Sequence, residues 1–230
     1  MPAAPAPIRP ASSVLVVRDG PPLEIFMVRR VRRGFFGGLM VFPGGAVDRC
    51  DHGELASQVV VGEADDLWWR SAALRELAEE TGIALGGSGF YPAPEGEGDD
   101  LYGALHQKGL TLDARRLTFL SRWVTPEGAP TRFDTKFYLA EIHGDPEVRL
   151  DPGELEDGIW VTAATALDRE ASGEWHMFTP TVAHLTWLAR HETVESARVD
   201  AIEVDRKAPV QVRVMDDGSI VPAGLPGDPR

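Results

Sequence analysis

Residues 75–83 read RELAEETGI, a run that places Glu76, Glu79 and Glu80 on one face of a single helical turn. At about 3.6 residues per turn, positions i, i+3 and i+4 are neighbours, so three negative charges meet beside one adjacent cation, Arg75. A hard divalent cation such as Mg²⁺ takes oxygen ligands and would offset this repulsion. The run therefore predicts a helix that carries a metal-binding face.

The same run has a simpler interpretation, because glutamate-rich turns occur on many solvated helices and most of them bind nothing. The flanking residues favour a functional site. Phe42-Pro43-Gly44-Gly45 predicts a tight loop whose bare backbone can approach a phosphate or a metal. Gly82 stands where a left-handed residue ends a helix. Loop, helix and cap together indicate one constellation.

This constellation resembles the signature of the Nudix hydrolases, enzymes that split a nucleoside diphosphate linked to another moiety. The signature has a glycine, five residues, a glutamate and seven residues before Arg-Glu, an aliphatic residue, any residue, Glu-Glu, any residue, glycine and an aliphatic residue. Its second half is matched without a gap by Arg75, Glu76, Leu77, Glu79, Glu80, Gly82 and Ile83. In the first half, Gly45 would be the leading glycine and Asp51 holds the acidic position. Residues 52–74 then separate Asp51 from Arg75, 23 residues where the signature has seven, an insertion of 16.

An insertion within the signature, at about 52–66, together with VFPGG at 41–45, is similar to the Nudix subgroup that includes peroxisomal coenzyme A diphosphatases. Residues 121–126 and 132–140 are similar to the central strands of that subgroup. The resemblance covers most of residues 13–200. It implies an α/β fold: a Nudix-type α/β/α sandwich with a mixed sheet, in a single domain.

The resemblance also implies roles for individual residues. Glu76, Glu79 and Glu80 would hold the divalent cations, Mg²⁺ or Mn²⁺, and Gly45 would lend a backbone carbonyl to the metal site. Arg75 would brace the carboxylates through charge-assisted hydrogen bonds. Glu76 is the first choice for the group that accepts a proton from the attacking water. Glu154 and Glu156 are further candidates for this base, although charged residues on loops are more often simply exposed.

A basic run, Val28-Arg29-Arg30-Val31-Arg32-Arg33, precedes the glycine loop. Arg30 and Arg33, with Gly44, are expected to contact the phosphates of a substrate, because guanidinium groups suit phosphate recognition. The alternative is a basic strand end that faces water. The formal net charge of −13 argues against a nucleic acid polymer as partner and leaves a small nucleotide-type diphosphate.

The rest of the chain predicts three regions. Residues 1–12 are rich in Pro and Ala and predict a disordered tail, 13–206 the domain itself, and 207–230 a hairpin with its turn at Asp217-Gly218, followed by a tail. A helix is expected from Asp65 or Asp66 through the carboxylates, and another from Thr179-Pro180 to about residue 195. We interpret His184 and His191 on that helix as ordinary surface residues rather than a zinc site.

The function predicted from these observations is metal-dependent hydrolysis of a pyrophosphate bond, with coenzyme A or acyl-coenzyme A as one substrate class. The alternatives are an ADP-ribose or dinucleoside polyphosphate hydrolase and a Nudix-like module that binds such a ligand without cleaving it. The single cysteine, Cys50, suits a reducing cytoplasm, and no apolar run predicts a membrane span. A homodimer is one way of completing the surfaces that recognise the substrate.

Overall fold

A mixed β-sheet lies at the centre of the computed structural model, which describes residues 6–20, 22–32, 37–127, 129–202, 209–214 and 220–223. The strands are β1 (Ile8–Arg18), β2 (Glu24–Arg30), β3 (Met40–Val41), β4 (Gly44–Ala46), β5 (Val60–Val61), β6 (Ile83–Gly86), β7 (Gly89–Pro92), β8 (Leu112–Asp113), β9 (Leu117–Val124), β10 (Arg132–Glu141), β11 (Leu155–Val161), β12 (Gln211–Val214) and β13 (Ile220–Ala223). The helices are α1 (Glu54–Val59), α2 (Leu67–Thr81), α3 (Asp99–Gln107), α4 (Ala163–Ala171), α5 (Thr179–Leu188) and α6 (Val194–Ile202), with 3-10 turns at Arg49–His52 and Ala114–Arg116.

The sheet combines parallel and antiparallel pairs. Within the described residues its order is β11-β2-β1-β10-β9, with β3 paired to β2 and β4 paired to β1. β1 runs parallel to β10 and antiparallel to β2 and β4. The pairing of β4 with β1 sets Gly45 opposite Ser12, so the glycine loop is fixed to the central strand.

β1 is buried on both faces because its side chains alternate between two hydrophobic cores. Val14 and Val16 pack into the core that α1, α2 and α3 cover. Leu15 and Val17 pack into the core that α4, α5 and α6 cover. Two helical layers on one mixed sheet confirm the predicted α/β/α sandwich.

α2 begins and ends where the sequence predicts. Asp66 precedes it, and Gly82 follows it with a φ of 72° in the left-handed region. Asp66 makes no side-chain capping bond. Its Oδ1 accepts a hydrogen bond from Arg70 Nε at 2.7 Å and its Oδ2 accepts one from the Tyr138 hydroxyl at 2.9 Å. The buried side of α2 includes Leu74 and Leu77, which anchor the helix to the sheet.

Two predicted boundaries are wrong. β1 begins at Ile8, so residues 8–12 belong to the sheet rather than to a disordered tail. Pro10 lacks an amide donor, yet its carbonyl accepts a bond from Val47 N at 2.9 Å. The helix predicted up to about residue 195 is divided into α5 and α6, because the amides of Arg190 and His191 bond carbonyls three residues back and tighten the end of α5.

The structure also describes the insertion within the domain and part of the C-terminal hairpin. The insertion expected at about 52–66 contains α1 and β5, and β5 pairs with β8. β12 and β13 pair antiparallel, as a hairpin would, while its predicted turn at Asp217-Gly218 lies outside the described residues. Among the described residues, no helix has the length and apolar character needed to cross a membrane.

Candidate active site

Arg75 lies at the centre of the charged face of α2. Its Nη1 donates to Glu76 Oε1 and to Glu79 Oε2, each at 2.8 Å. The side chain of Arg75 is only 4% exposed, so the contacts are screened little by solvent. Glu76 and Glu79 therefore share Arg75 as their cation, whereas Glu80 pairs with Arg30.

Asp51 is the main partner of Arg75, across the long insertion. Arg75 Nε donates to Asp51 Oδ1 at 2.9 Å and Nη2 donates to Oδ2 at 3.0 Å, a bidentate pair. Arg75 Nη2 also donates to the Ala46 carbonyl at 3.0 Å. The side chain of Asp51 is fully buried. The sequence placed Asp51 at the acidic position of the signature, and the contact with Arg75 is what the fold adds.

Two of the carboxylates of α2, those of Glu79 and Glu80, also accept a hydrogen bond from a backbone amide. Gly98 N donates to Glu79 Oε1 at 2.6 Å, and Gly44 N donates to Glu80 Oε2 at 2.9 Å. Arg30 Nη1 donates to Glu80 Oε1 at 3.0 Å. The predicted phosphate contacts Gly44 and Arg30 therefore lie at the site, where both bind Glu80.

Gly44 and Gly45 allow the loop to approach the helix. Gly44 has a φ of 151°, and a β-carbon there would overlap the Ser12 carbonyl oxygen. A β-carbon on Gly45 would lie 2.6 Å from the carboxylate atoms of Glu76. The second glycine is therefore needed for the close contact between the loop and the carboxylate face.

A cavity of 340 Å³ opens above these groups. Its lining, within the described part of the chain, consists of seven carboxylates, one guanidinium and one glycine: Asp48, Glu76, Glu79, Glu80, Glu97, Asp151, Glu154, Arg75 and Gly98. The carboxylates come from several segments that are far apart in sequence. The excess of negative charge makes the cavity a place where cations would be stabilised.

The loop before β11 brings two of these carboxylates to the cavity. Arg149 N donates to the Thr81 carbonyl at 2.8 Å, and Asp151 N donates to the Glu80 carbonyl at 3.1 Å. These bonds satisfy carbonyls at the C-terminal end of α2, which have no partner within the helix. They hold Asp151 and Glu154 beside the cavity. No spacing in the sequence pointed to Asp151.

Burial raises the pKa values of the site's glutamates. Burial, assisted by the nearby Glu79 and opposed by Arg75, raises the pKa of Glu76 to about 7. Burial and the charge of Glu76, opposed by Arg30, raise the pKa of Glu80 to about 8. The pKa of Glu79 is also raised, again chiefly by burial. At neutral pH Glu76 and Glu80 are thus poised between their protonated and charged forms.

The structure separates the two loop candidates for the base. Glu154 lines the cavity and its Oε2 accepts from Arg30 Nη2 at 2.6 Å. Glu156 is exposed, is absent from the cavity lining, and accepts from the amide of Arg32 at 3.1 Å. Arg33 lies outside the described residues. The basic run thus contributes Arg30 to the site through ion pairs with Glu80 and Glu154.

The donor set fits a hard divalent cation, although the carboxylates are paired with other groups. In the described ranges, no three or more His, Cys, Asp or Glu side chains are arranged to hold a metal ion. Glu76 and Glu79 turn toward Arg75, and Glu80 turns toward Arg30. The oxygen-rich lining is the chemistry that Mg²⁺ and Mn²⁺ prefer.

An α/β/α sandwich whose central helix presents this signature to an acidic cavity defines the Nudix class. The family model described as NUDIX domain matches residues 7–179, and the chain belongs to the Nudix family. Hydrolases of this family generally use divalent metal ions.

Two relatives extend the comparison. A crystal structure of a NUDIX hydrolase from Alicyclobacillus acidocaldarius has a TM-score of 0.74 and 35% identity, covering 84% of this chain and 96% of that chain. A Caenorhabditis elegans protein whose name assigns it to the nudix hydrolases is 27% identical over 79% of this chain. The match spans 61% of the length of the Caenorhabditis elegans protein.

Proposed function

We propose that the protein hydrolyses the pyrophosphate bond of a nucleoside diphosphate linked to another moiety, in a reaction that needs Mg²⁺ or Mn²⁺. The observation that carries this proposal is the carboxylate-lined cavity above α2 in a chain of the Nudix family. A diphosphate by itself would be repelled by this lining. Divalent cations reverse that repulsion, which makes a metal-bound diphosphate the ligand that suits the cavity.

Glu76, Glu79 and Glu80, with the carbonyl of Gly45, are the proposed ligands of the cations. When bound, the metal neutralises phosphate charge and lowers the pKa of a bound water. Arg75 keeps Glu76 and Glu79 at their positions through its Nη1 bonds, while Asp51 holds the other side of the guanidinium. The chain thus supplies carboxylate oxygens whose positions beside the cavity are fixed by defined partners.

Glu76 is our first choice for the proton acceptor, and Glu154 is the second. Glu76 has a pKa raised to about 7, so it can accept and release a proton near neutral pH. Glu154 lies at the cavity, whereas Glu156, two residues along, does not. If Glu154 is the base, Glu154→Gln lowers kcat strongly and Glu156→Gln leaves it close to wild type. Equal kcat values in these two variants would return the role to Glu76.

Arg30 is proposed to contact the phosphates while it holds Glu80 and Glu154. Its ion pairs with Glu80 and Glu154 use two of the five N–H donors that a guanidinium carries. A phosphate contact made in the ground state predicts that Arg30→Gln mainly raises KM. Arg33 and Gly44 remain proposed substrate contacts, although the Gly44 amide already binds Glu80.

We propose coenzyme A or acyl-coenzyme A as the first substrate class to test, because VFPGG and the insertion resemble that subgroup. ADP-ribose and dinucleoside polyphosphates are the alternatives. The segments that would select among them are the insertion around α1 and the stretch that leads into α3. That stretch contributes Glu97 and Gly98 to the cavity lining, and α1 packs against α3.

The test is a screen of coenzyme A, acyl-coenzyme A, ADP-ribose, NADH and dinucleoside polyphosphates with Mg²⁺ or Mn²⁺. Product masses identify the bond that is cut, and the same mixtures with EDTA serve as controls. Metal-dependent release of two phosphorylated halves is the expected result. If calorimetry detected binding of one of these ligands and no product formed, the protein would be a binding module rather than a hydrolase.

A further inference from the structure

α3 contacts the charged network of α2 at two points. At its N-terminal end, the Gly98 amide donates to Glu79 Oε1 at 2.6 Å. One turn further along, the Tyr102 hydroxyl donates to Asp51 Oδ1 at 2.7 Å. Tyr102 is fully buried, and Asp51 is 2% exposed. A single helix outside the Nudix signature therefore reaches both a proposed metal ligand and the carboxylate that holds Arg75.

These contacts connect α3 to Arg75 through two of its carboxylate partners, Asp51 and Glu79. Asp51 receives Arg75 Nε and Nη2, and Nη1 of the same guanidinium reaches Glu76 and Glu79. A guanidinium is planar and rigid, so its orientation at Asp51 determines where Nη1 points. A shift of the Asp51 carboxylate is thereby passed to the carboxylates that face the cavity.

The Tyr102 hydroxyl is a specific partner of Asp51. It lies 2.7 Å from Asp51 Oδ1 and 3.3 Å from the Ser71 carbonyl oxygen, so the shorter contact is to the carboxylate. Burial and the charge of Asp51 raise the pKa of Tyr102 above its ordinary range, which keeps the hydroxyl protonated as a donor. Asp51 Oδ2 accepts from the Asp48 amide at 2.7 Å. Each oxygen of this buried carboxylate thus has one partner in addition to Arg75.

We propose that Tyr102 is a positioning residue for the hydrolytic reaction, acting through Asp51 to fix Arg75 and hence Glu76 and Glu79. The inference rests on the proposed function. It extends that function beyond the signature, because Tyr102 lies on a helix that follows the signature and is not among the described residues that line the cavity.

The chain offers a matched control near the N-terminal end of α2. Tyr138, on β10, is also fully buried, and its hydroxyl donates to Asp66, which accepts a single hydrogen bond from Arg70 Nε rather than the bidentate pair that joins Asp51 to Arg75. This second carboxylate, arginine and tyrosine group lies at the opposite end of α2 from the glutamates. Tyr102→Phe and Tyr138→Phe therefore remove the same atom from similar surroundings, and each phenylalanine fills the volume of the ring it replaces.

The first experiment compares kcat, KM and the Mg²⁺ concentration at half-maximal activity in the two variants. Tyr102→Phe should lower kcat about tenfold and raise the Mg²⁺ requirement several-fold, in the range known for outer partners of metal ligands. Its substrate KM should stay within about twofold of wild type, since the hydroxyl contacts no phosphate. Tyr138→Phe should retain wild-type kcat. Equal kcat in both variants would overturn the proposal.

A second measurement does not depend on turnover. The Nε–H proton of Arg75, held in the buried pair with Asp51, should give a slowly exchanging NMR signal in the wild-type protein. Tyr102→Phe should speed its exchange and shift it, and Tyr138→Phe should leave it in place. An unchanged Arg75 signal in Tyr102→Phe would overturn the positioning role even if no tested diphosphate is hydrolysed.

A third variant separates positioning from loss of stability. Leu105→Ala removes a fully buried side chain from α3 and keeps the Tyr102 hydroxyl. If α3 acts only as packing, Leu105→Ala and Tyr102→Phe should lower kcat in proportion to their loss of stability. If Tyr102 positions Asp51, Tyr102→Phe should lower kcat by more than its loss of stability predicts. The same ratio of lost kcat to lost stability in Tyr102→Phe and Leu105→Ala would contradict the proposal.

Discussion

Two buried polar networks lie on opposite faces of the sheet, and they differ in whether their charges balance. On the face covered by α5, His184 donates from Nδ1 to the Pro180 carbonyl at 2.6 Å and accepts the Ser121 hydroxyl at Nε2, 2.7 Å away. Trp123 Nε1 donates to Ser121 Oγ at 3.1 Å. Burial lowers the pKa of His184 to about 4, so the ring is neutral near pH 7.

The network on the face covered by α2 is ionic and open. There Arg75 bonds three carboxylates, those of Asp51, Glu76 and Glu79. Beyond them is the acidic cavity. The neutral network pairs its donors with acceptors in a closed chain, whereas the ionic one retains an excess of negative charge that a cation can offset. The excess negative charge, rather than burial alone, distinguishes the network that would attract a cation from the one that supports packing.

Asp51→Asn should have the largest effect, because it removes one charge from a buried ion pair. We expect it to lower the free energy of unfolding by about 3–5 kcal/mol, as for other buried pairs deprived of one partner. Denaturant unfolding measures the change. Asp66→Asn, in the corresponding pair with Arg70, is the control: it should lower stability and leave kcat near that of wild type. A stable and active Asp51→Asn would show that the ionic network is dispensable.

Glu79→Gln should affect turnover rather than stability. Removing one of the repelling carboxylates leaves the fold intact, and kcat should fall by at least about a hundredfold through loss of a proposed metal ligand. Steady-state kinetics with Mg²⁺ measures this, with the exposed α1 variant Glu54→Gln as control. Nearly unchanged turnover in Glu79→Gln would contradict the assignment of the acidic face.

Ser121→Ala tests the neutral network. It removes the partner of His184 Nε2 and of Trp123 Nε1, so the free energy of unfolding should fall by about 1–2 kcal/mol. Turnover should not change, because no member of this network lines the cavity. A large loss of kcat at unchanged stability would mean that the two faces of the sheet are coupled.

The pH dependence of stability should have opposite signs in the two networks. Glu76 and Glu80 have pKa values of about 7 and about 8, above the ordinary 4.5, so the folded protein binds their protons more tightly than the unfolded chain. Their contribution to stability is present below pH 4.5 and is lost as the pH rises toward 8. His184 has a pKa lowered from 6.5 to about 4, so its contribution is present above pH 6.5 and lost as the pH falls.

Unfolding measured in EDTA between pH 4 and pH 9 should show a fall in stability at both ends of this range. Mg²⁺ should reduce the loss at high pH, because it stabilises the charged carboxylates, and should leave the low-pH limb unchanged. Glu80→Gln should flatten the high-pH limb without added metal. A high-pH limb that persists in Glu80→Gln with Mg²⁺ present would assign the titration to other groups.

The elements that the sequence predicted best are those whose signals are local. α2 begins after Asp66 and ends at Gly82 as expected, and the left-handed Gly82 ends the helix locally, although Asp66 makes no side-chain capping bond. Predictions failed where tertiary packing overrides a local pattern. His184 was expected on a helix surface, yet α5 packs so that this residue is fully buried. Residues 8–12 were predicted to belong to the Pro- and Ala-rich tail, but they pair with β10 and β4 as part of a strand.

The sequence by itself determined the acidic face of α2 and the glycine loop beside it, because the spacing of carboxylates on a helix and the reach of a bare backbone are local properties. Only the tertiary structure decided which groups meet those carboxylates. Asp51 reaches Arg75 across the insertion, Tyr102 reaches Asp51 from α3, and Asp151 is carried in by backbone bonds at the end of α2. Such contacts join residues distant in the chain, and they exist only once the helices and loops have packed on the sheet.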